Sequence, residues 1–328
     1  MSIFSSFRRI CSFRRGLPYT SLWSRRISIK STAQPGADID KFIRKVPVKD
    51  VDGLERSINV LDISTNINAE SDCPPIVILP GTAQTINTFQ PHFGLSKSAR
   101  LIIPELRCQG KVTDLLSNKA EIAQHVADIE LLLETMSIKK VRLAGFSFGG
   151  RVAIAFAAHK PHLVDSLSLT CVPLTRPALG GAILSSWEEA LANGNMREAA
   201  WSFVFNGYSQ RFLTKYATRL PTFVDIITQS NDAQKLHDLL RYSHVSNNND
   251  PMSVALCACR LSCPVQVIAA TNDRIAGIDA AKGLFDAIKV SNPKSSEVVF
   301  YEMDTGHVAC FEDPVRWRNS ISNFFGFS

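Results

Sequence analysis

Short apolar runs alternate with amphipathic segments along most of the chain. Runs rich in Val, Ile and Leu predict buried strands. They are a strand pair within Val48–Thr65 and single strands at Pro74–Gly81, Ala99–Leu106, Val141–Ala144, Val164–Val172, Cys263–Ala270 and Ser296–Met303. Helices are predicted at Asn118–Ser137, Val152–Ala158, Ile278–Val290 and Pro314–Phe325. Strands that alternate with helices predict an α/β fold, a mostly parallel sheet with helices on both faces.

One long region interrupts this alternation. Residues Leu174–Leu261 have helical patterns and no clear strand, so they predict a helical insertion packed over one end of the sheet. The insertion is rich in aromatic residues, most of which we expect in its own core, with a minority lining an apolar pocket. Our candidates for that lining are Trp187, Trp201 and Phe205, together with Phe146 from outside the insertion.

The N-terminal segment differs in composition from the rest. Met1–Pro35 contains seven basic residues and no acidic one, with many serines and no long apolar run. This composition is typical of a mitochondrial transit peptide. It predicts that residues 1–31 are removed, with cleavage within Arg26–Ser31, that the import machinery is a partner, and that the protein works in the mitochondrial matrix. A plastid transit peptide and a disordered basic tail are the alternatives.

The net charge depends on this segment. The formal charge is +6, from 36 basic and 30 acidic residues. Without the seven basic residues of the N-terminal segment, 29 basic residues stand against 30 acidic ones. The basic character therefore belongs to the N-terminal segment, and the remaining chain gives no indication of nucleic-acid binding. No apolar run approaches the roughly 20 residues of a membrane-spanning helix, so no membrane span is predicted.

The eight cysteines are scattered, and in the matrix we expect free, mostly buried thiols. Cys257, Cys259 and Cys263 are close enough in sequence to raise the possibility of a metal site. They lack paired Cys-x-x-Cys spacing, and His244 is the nearest candidate for a fourth ligand. We therefore predict no metal and no cofactor.

Candidate chemistry begins at the stretch Gly145-Phe146-Ser147-Phe148-Gly149. A strand precedes it and a helix follows it, so Ser147 lies in a sharp strand-to-helix turn that requires small neighbours at Gly145 and Gly149. Such a turn exposes the serine hydroxyl at a helix N-terminus and aims the Phe148 amide at the same place. Ser147 is therefore a candidate nucleophile; the alternative is a tight turn with an idle serine.

A base and an acid are expected at the carboxyl ends of the parallel strands, where functional groups of such sheets gather. Asp273 comes just after one predicted strand and His307 after the last. Serine becomes nucleophilic when a histidine takes its proton, and a carboxylate orients that histidine. Asp304 and Asp250 are rivals to Asp273, but Asp304 is too close to His307 in sequence and Asp250 lies in a polar loop.

Taken together, these segments resemble the α/β-hydrolase superfamily over about Ile76 to Phe325. The stretch around Ser147 resembles its nucleophile elbow, and "IPELRCQGK" is similar to its fourth-strand motif. "VIAATNDRI" and "TGHVACFEDP" resemble its acid and histidine loops. The resemblance implies an eight-stranded, mostly parallel sheet with a helical cap after the sixth strand. It divides the chain into a core at 32–173, a cap at 174–262 and a second core part at 263–328.

By the same resemblance, Thr82 supplies the second oxyanion-hole amide beside Phe148. The chain departs from the usual pattern here, because Pro80-Gly81 replaces His-Gly. Glu105 and Cys108 replace an aspartate and a glycine of the fourth-strand motif. These departures concern the geometry of the loops and not the triad of Ser147, Asp273 and His307.

The expected function is hydrolysis of an ester or thioester of a small to medium apolar acyl group, through an acyl-enzyme on Ser147. The substrate is a small molecule whose identity, like the oligomeric state, the residues leave open. Two alternatives remain. One is a non-catalytic subunit of a mitochondrial assembly, and the other is a triad that performs acyl transfer or an elimination.

Overall fold

The structure is a computed structural model that describes residues 39–49, 55–64, 73–110, 120–244 and 249–327. The predicted transit peptide, residues 1–31, lies outside the described residues. The described strands form one sheet of eight in the order β1-β2-β4-β3-β5-β6-β7-β8. They are β1 Ile43–Lys49, β2 Glu55–Ile63, β3 Ile76–Leu79, β4 Leu101–Pro104, β5 Val141–Phe146, β6 Val164–Thr170, β7 Val265–Ala270 and β8 Val298–Met303.

The sheet is mostly parallel, as predicted. Strands β3 to β8 pair in parallel, whereas β2 is antiparallel to both β1 and β4. The predicted start of the first strand at Val48 is wrong, since β1 already pairs with β2 at Ile43 opposite Leu61. Arg44 and Lys45 are exposed on this edge strand, so its first half lacks the apolar signal of a buried strand.

Helices cover both faces of the sheet. Those outside the insertion are α1 Ile122–Thr135, α2 Phe148–His159, α9 Ile278–Ser291, α10 Ala309–Glu312 and α11 Pro314–Phe324. Each central strand serves both faces because successive side chains point to opposite sides. In β3, Val77 and Leu79 join the core under α1 and α2, whereas Ile76 and Ile78 join the core under α11. A sheet buried on both faces explains why its strands read as continuous apolar runs.

The described residues of the insertion between β6 and β7 form helices joined by short loops, with no strand. Its helices are α3 Ala178–Ala192, α4 Met196–Gly207, α5 Gln210–Lys215, α6 Leu220–Ser230, α7 Ala233–Tyr242 and α8 Val254–Ala258. We call α3 to α7 the cap. Contacts between α3 and α4, α3 and α7, and α4 and α6 hold it together, whereas α8 packs against α2 of the core.

A further element was not predicted from the sequence. Residues Ile86–Lys97 form a run of 3-10 helix that contains Pro91. It buries Phe89 against Phe311, with ring centroids 5.7 Å apart. Polar residues and a proline interrupt its apolar positions, so no helical period is visible. None of the described helices is both long enough and apolar enough to cross a membrane.

Candidate active site

Ser147 lies between β5 and α2 with the backbone conformation of a strained turn. Its φ is 50° and its ψ is −112°, values that a residue with a side chain rarely adopts. The Ser147 N–H donates to Thr170 O at 2.9 Å, and the Ser147 carbonyl accepts from Arg151 N at 3.1 Å. Strand and helix thus fix the residue from both sides, and its side chain is held at the N-terminus of α2.

Close packing at the two flanking glycines makes this turn possible. A Cβ on Gly149 would lie 2.1 Å from the carbonyl oxygen of Leu79, at the end of β3. A Cβ on Gly145 would lie 2.5 Å from the Cα of Gly150. In both cases the obstacle is backbone, which cannot rotate away as a side chain can. The requirement for small residues at these positions is therefore steric.

The three residues predicted as a triad lie together in a hydrogen-bonded chain. His307 Nε2 is 2.8 Å from Ser147 Oγ, and His307 Nδ1 is 2.8 Å from Asp273 Oδ2. The side chains of Asp273 and His307 are only 1% and 7% exposed. The acid and histidine loops are also joined through their backbones, because Asn272 N donates to Thr305 O at 3.0 Å.

The surroundings of Asp273 keep it ionised. Burial by itself would raise the pKa of this carboxyl. The charge and hydrogen bond of His307 and the amides of Ala276 and Ile275 outweigh burial and hold the pKa below its ordinary value. A carboxylate only accepts hydrogen bonds, so His307 Nδ1 carries the hydrogen toward it. In neutral His307, Nε2 is then free to accept the proton of Ser147.

The rival acid Asp304 is used elsewhere. Its carboxylate is 61% exposed and accepts from Arg211 Nη1 at 2.8 Å and from Asn272 Nδ2 at 2.9 Å. Among the residues that the structure describes, Asp273 is the acid whose carboxylate accepts a hydrogen bond from His307. Asp273 and not Asp304 is thus the acid that contacts His307, as expected from the sequence.

Two backbone amides remain free to bind an oxyanion. Phe148 is the first residue of α2, where the N–H has no acceptor within the helix. In the part of the chain that the structure describes, neither Phe148 N nor Thr82 N donates to another group. Both residues were predicted as oxyanion donors from the sequence. Their role as oxyanion donors stays a prediction.

The loop that carries Thr82 is closed by a glutamine. Gly81 N donates to the side-chain oxygen of Gln84 at 2.7 Å, and Gln84 N donates back to Gly81 O at 3.2 Å. Ala83, at the third position of this turn, has a φ of 62°. Gln84 was not singled out in the sequence.

The two departures in the fourth-strand motif, Glu105 and Cys108, are accommodated by the backbone and by hydrogen bonding. Cys108 adopts a φ of 59°, the left-handed conformation that the usual glycine would supply. Glu105 accepts from Asn59 Nδ2 at 3.1 Å, and burial raises its pKa. Arg107 is buried against Asp128, with 2.8 Å between Nη2 and Oδ1, so it holds this loop.

The cap is attached directly to the histidine loop through Glu312. The Glu312 carboxylate accepts from Gly306 N and from Ser209 N, both at 2.9 Å, and also from the Ser209 hydroxyl. Val308 N donates to Gly207 O, in the last turn of α4, at 2.8 Å. These bonds enclose His307 between the cap and the sheet.

Cys171 is a neighbour of the triad that sequence reasoning missed. It follows β6 with a φ of 54° and is fully buried. Burial first, and then the charge of Asp273, raise the pKa of its thiol well above the ordinary value, so it stays neutral beside Asp273. Ligand atoms of Cys171, Asp273 and His307 lie within 4.8 Å of one another. Both His307 nitrogens already have partners, so this cluster fits a triad rather than a metal site.

The candidate pocket residues lie in different surroundings. Phe146 is buried with its ring 5.4 Å from the imidazole of His307, beside the site. Trp187 is buried in the cap, where it packs against Phe203, and it belongs to the same apolar cluster as Ile275 of the acid loop. Their roles as pocket residues stay predictions.

Trp201 and Phe205 stack on each other, with centroids 5.2 Å apart, and Phe205 is 47% exposed. The structure therefore places Phe205 largely at the cap surface, and its pocket role also stays a prediction.

In the described ranges, Cys257, Cys259 and Cys263 do not gather into a group of metal ligands. Cys257 and Cys263 are buried, and Cys259 is exposed.

The sheet order, the elbow and the serine–histidine–aspartate geometry define the class of protein. The sequence model of the alpha/beta hydrolase fold matches residues 74–314. The chain belongs to this family.

Similar proteins agree with that assignment. Pyrrolizixenacetamide deacetylase of Xenorhabdus hominickii is 24% identical over 288 residues, which cover 81% of this chain and 96% of that protein. The enol-lactonase of Burkholderia xenovorans has a TM-score of 0.70 at 16% identity, over 82% of this chain and 96% of its own. An esterase of Thermogutta terrifontis has a TM-score of 0.67 at 18% identity, over 86% and 97%. The family and these relatives support a hydrolase.

Proposed function

We propose that this protein is a serine hydrolase that cleaves an ester or thioester of a small to medium apolar acyl group. The observation that carries the proposal is the chain of two 2.8 Å contacts from Asp273 through His307 to Ser147. It ends on a serine held in a strained turn at the N-terminus of a helix. An idle serine would not need a buried base, a buried carboxylate and a strained backbone together.

The geometry accounts for each proton in the reaction. Ser147 Oγ attacks the substrate carbonyl and gives its proton to His307 Nε2, while the carbonyl oxygen becomes negatively charged. The free amides of Thr82 and Phe148 bind that oxygen. His307 then gives the proton to the departing alcohol or thiol. A water molecule, deprotonated by His307, attacks the acyl-enzyme and releases the acid, which restores Ser147.

The ionised state of Asp273 supports this proton shuttle. When His307 takes the serine proton it becomes a cation, and the buried carboxylate 2.8 Å away stabilises that charge. The two backbone amides on Asp273 Oδ1, from Ile275 at 2.8 Å and Ala276 at 2.9 Å, fix the carboxylate so that Oδ2 faces the histidine. The electrostatic arrangement is therefore present before substrate binds.

The two alternatives are weaker on this geometry. A non-catalytic subunit would have no use for a strained serine aligned with a buried histidine. Acyl transfer would need the same triad and differs only in the acceptor, an alcohol or amine in place of water. The names of the relatives, a deacetylase, an enol-lactonase and an esterase, favour water as the acceptor.

The proposal is tested by steady-state turnover of the full chain. The substrates are p-nitrophenyl esters of increasing acyl length, an acetyl thioester and an aryl acetamide, each with and without an added alcohol. We expect turnover of short esters or of the thioester that is abolished in Ser147→Ala. Product that appears only with the alcohol would point to acyl transfer. Equal turnover by wild type and Ser147→Ala would reject the assignment.

We further propose that the protein acts in the mitochondrial matrix after removal of residues 1–31. The support is the excess of basic residues over acidic ones in Met1–Pro35. A fusion of residues 1–40 to a fluorescent protein is expected to enter mitochondria and to be shortened within Arg26–Ser31. A fusion in which Arg8, Arg9, Arg14 and Arg15 are changed to Glu is the control. Cytosolic fluorescence of the unchanged fusion would contradict the proposal.

A further inference from the structure

A single buried asparagine of the cap reaches the oxyanion loop. Asn231 follows α6 and is 6% exposed. Its side-chain NH2 group donates to Ala83 O and to Ile227 O, both at 3.1 Å. Its side-chain oxygen accepts from Gly110 N at 3.2 Å. Both amide hydrogens and the oxygen are therefore used, and they join the cap to two loops at the carboxyl ends of β3 and β4.

The backbone of Ala83, which accepts one of these hydrogen bonds, has a conformation that needs stabilisation by its surroundings. Ala83 has a φ of 62°, a conformation that a residue with a side chain rarely adopts. It occupies the turn from Gly81 to Gln84, in which Thr82 is the other central residue. A four-residue turn has few internal degrees of freedom, so fixing the Ala83 carbonyl also fixes the direction of the Thr82 N–H.

The position of Asn231 is itself well determined. Its side chain bonds back to Ile227 in the last turn of α6, and the next residue, Asp232, caps α7 by accepting from Lys235 N at 3.0 Å. Asn231 thus lies at the junction of two cap helices, and a shift of that junction would move the amide away from Ala83. The hydrogen bonds connect the placement of the cap with the geometry of the oxyanion loop.

We propose that Asn231 is a positioning residue that holds the oxyanion loop in its catalytic conformation and makes oxyanion binding depend on the cap. The inference rests on the proposed hydrolase function and on Thr82 as an oxyanion donor. Asn231 does not touch the substrate carbonyl in this account. It acts through the Ala83 carbonyl, so its loss weakens binding of the transition state and leaves binding of the substrate ground state nearly unchanged.

Two variants separate the contacts. Asn231→Ala removes all three hydrogen bonds. Asn231→Asp keeps an acceptor for Gly110 N but loses the donor to Ala83 O, and it preserves the size of the side chain. Asn206→Ala is the control, since Asn206 is a half-buried cap asparagine that, like Asn231, donates to the carbonyl four residues earlier, here Ser202 O, at 2.9 Å. Among the described residues, Asn206 makes no hydrogen bond to the oxyanion loop.

The measurements are kcat and KM for the best ester, and the inhibition constant of a trifluoromethyl ketone with the same acyl group. Such a ketone forms a tetrahedral adduct whose oxyanion mimics the transition state. Loss of one oxyanion donor typically lowers kcat about 10²–10³-fold, and we expect displacement of the loop to lower kcat by about 10–100-fold in both Asn231 variants. KM should change little, and the ketone should bind more weakly by about the factor lost in kcat/KM.

The possible results distinguish the inference from the proposed function on which it rests. A fall in kcat at Asn231, a parallel weakening of the ketone and wild-type behaviour of Asn206→Ala support the inference. Asn231 variants that match Asn206→Ala, or that lose kcat without weakening the ketone, overturn it while the hydrolase function stands. A wild-type protein that neither turns over esters nor binds the ketone refutes the proposed function and the inference with it. Thermal melting of Asn231→Asp shows that the comparison is made on folded protein.

Discussion

The nucleophile elbow and the oxyanion loop achieve the same kind of strained conformation by different means. Ser147 has a φ of 50° and Ala83 a φ of 62°, and both carry a side chain. At the elbow, glycines allow β3, β5 and α2 to approach so closely that the turn has no alternative path. At the oxyanion loop, the amide side chains of Gln84 and Asn231 hold the turn by hydrogen bonds.

This difference determines how each region responds to substitution and how far it can be predicted from the sequence. Steric constraint by glycine is local, so it leaves a pattern in five consecutive residues. Hydrogen bonds from Asn231 come from 148 residues away in the chain, and no pattern near Pro80 points to them. The elbow should therefore fail abruptly when its packing is changed, whereas the oxyanion loop should lose rate gradually as its hydrogen bonds are removed.

The largest effect on kcat is expected from replacing the nucleophile at the elbow. Ser147→Ala removes the nucleophile but adds no atom to the turn, so the fold should be retained. We expect kcat to fall by up to about 10⁶-fold, measured on the best ester by active-site titration and steady-state kinetics. A loss of less than about tenfold, with normal melting, would place the chemistry at another residue.

The next effect tests the packing at the elbow. Gly149→Ala places a Cβ 2.1 Å from Leu79 O, so the strand end or the helix must move. We expect the free energy of unfolding to fall by about 3 kcal/mol or more, at the upper end for overpacked sites. Gly181→Ala in α3 is the control, because its Cβ meets nothing closer than Arg176 Cδ at 4.0 Å. That variant should be neutral or stabilised by up to about 1 kcal/mol. Equal stability of both variants in urea unfolding would contradict the steric account.

A smaller loss is expected from the oxyanion loop. Gln84→Leu removes the acceptor of Gly81 N while keeping the side chain about as large, and we expect kcat to fall by about 10–100-fold with the fold intact. Gln124→Leu is a matched control, since the Gln124 side chain accepts from Glu121 N, also three residues earlier, at the start of α1. If both variants keep wild-type kcat, the loop is held without its glutamine.

The smallest effect concerns the pH dependence of stability through Asp273. Its pKa in the folded protein lies below the ordinary value of 3.8. The stabilisation that its ionised form provides is therefore complete above that value and is lost as the pH falls through the lower, folded pKa. We expect the difference in free energy of unfolding between wild type and Asp273→Asn to shrink below about pH 4.

Asp304→Asn controls for the same change in net charge at an exposed acid. A difference between wild type and Asp273→Asn that grows as the pH falls would show that the pKa of Asp273 is raised instead. Urea unfolding at a series of pH values measures both differences.

Much of the fold could be predicted because its signals are local. Central strands such as β5 and β7 are buried on both faces and read as apolar runs, and Ser147, Asp273 and His307 each follow a strand end. The topology then brings these strand ends together. This explains why Ser147 and His307, 160 positions apart in sequence, form one contact chain with Asp273. Resemblance to a known family added Thr82.

What the sequence did not reveal has non-local causes. β1 begins with exposed Arg44 and Lys45 because an edge strand needs only one buried row. Asn231 acts through tertiary hydrogen bonds that no spacing rule describes, and Cys171 meets Asp273 and His307 only in the folded chain. Gln84 is the exception, since its bond to Gly81 is local. The pocket candidates were chosen by residue type alone, and a helical cap can direct an aromatic ring inward or outward. Phe205 lies at the cap surface for this reason.

The most direct test of the central claim is labelling of the full-length protein with a fluorophosphonate, followed by mass spectrometry of the modified peptide. The account predicts one label, on Ser147, that is lost in His307→Ala and much slower in Asp273→Asn. A folded protein that stays unlabelled, or that is labelled at another serine, would contradict the claim that His307 activates Ser147 for nucleophilic attack.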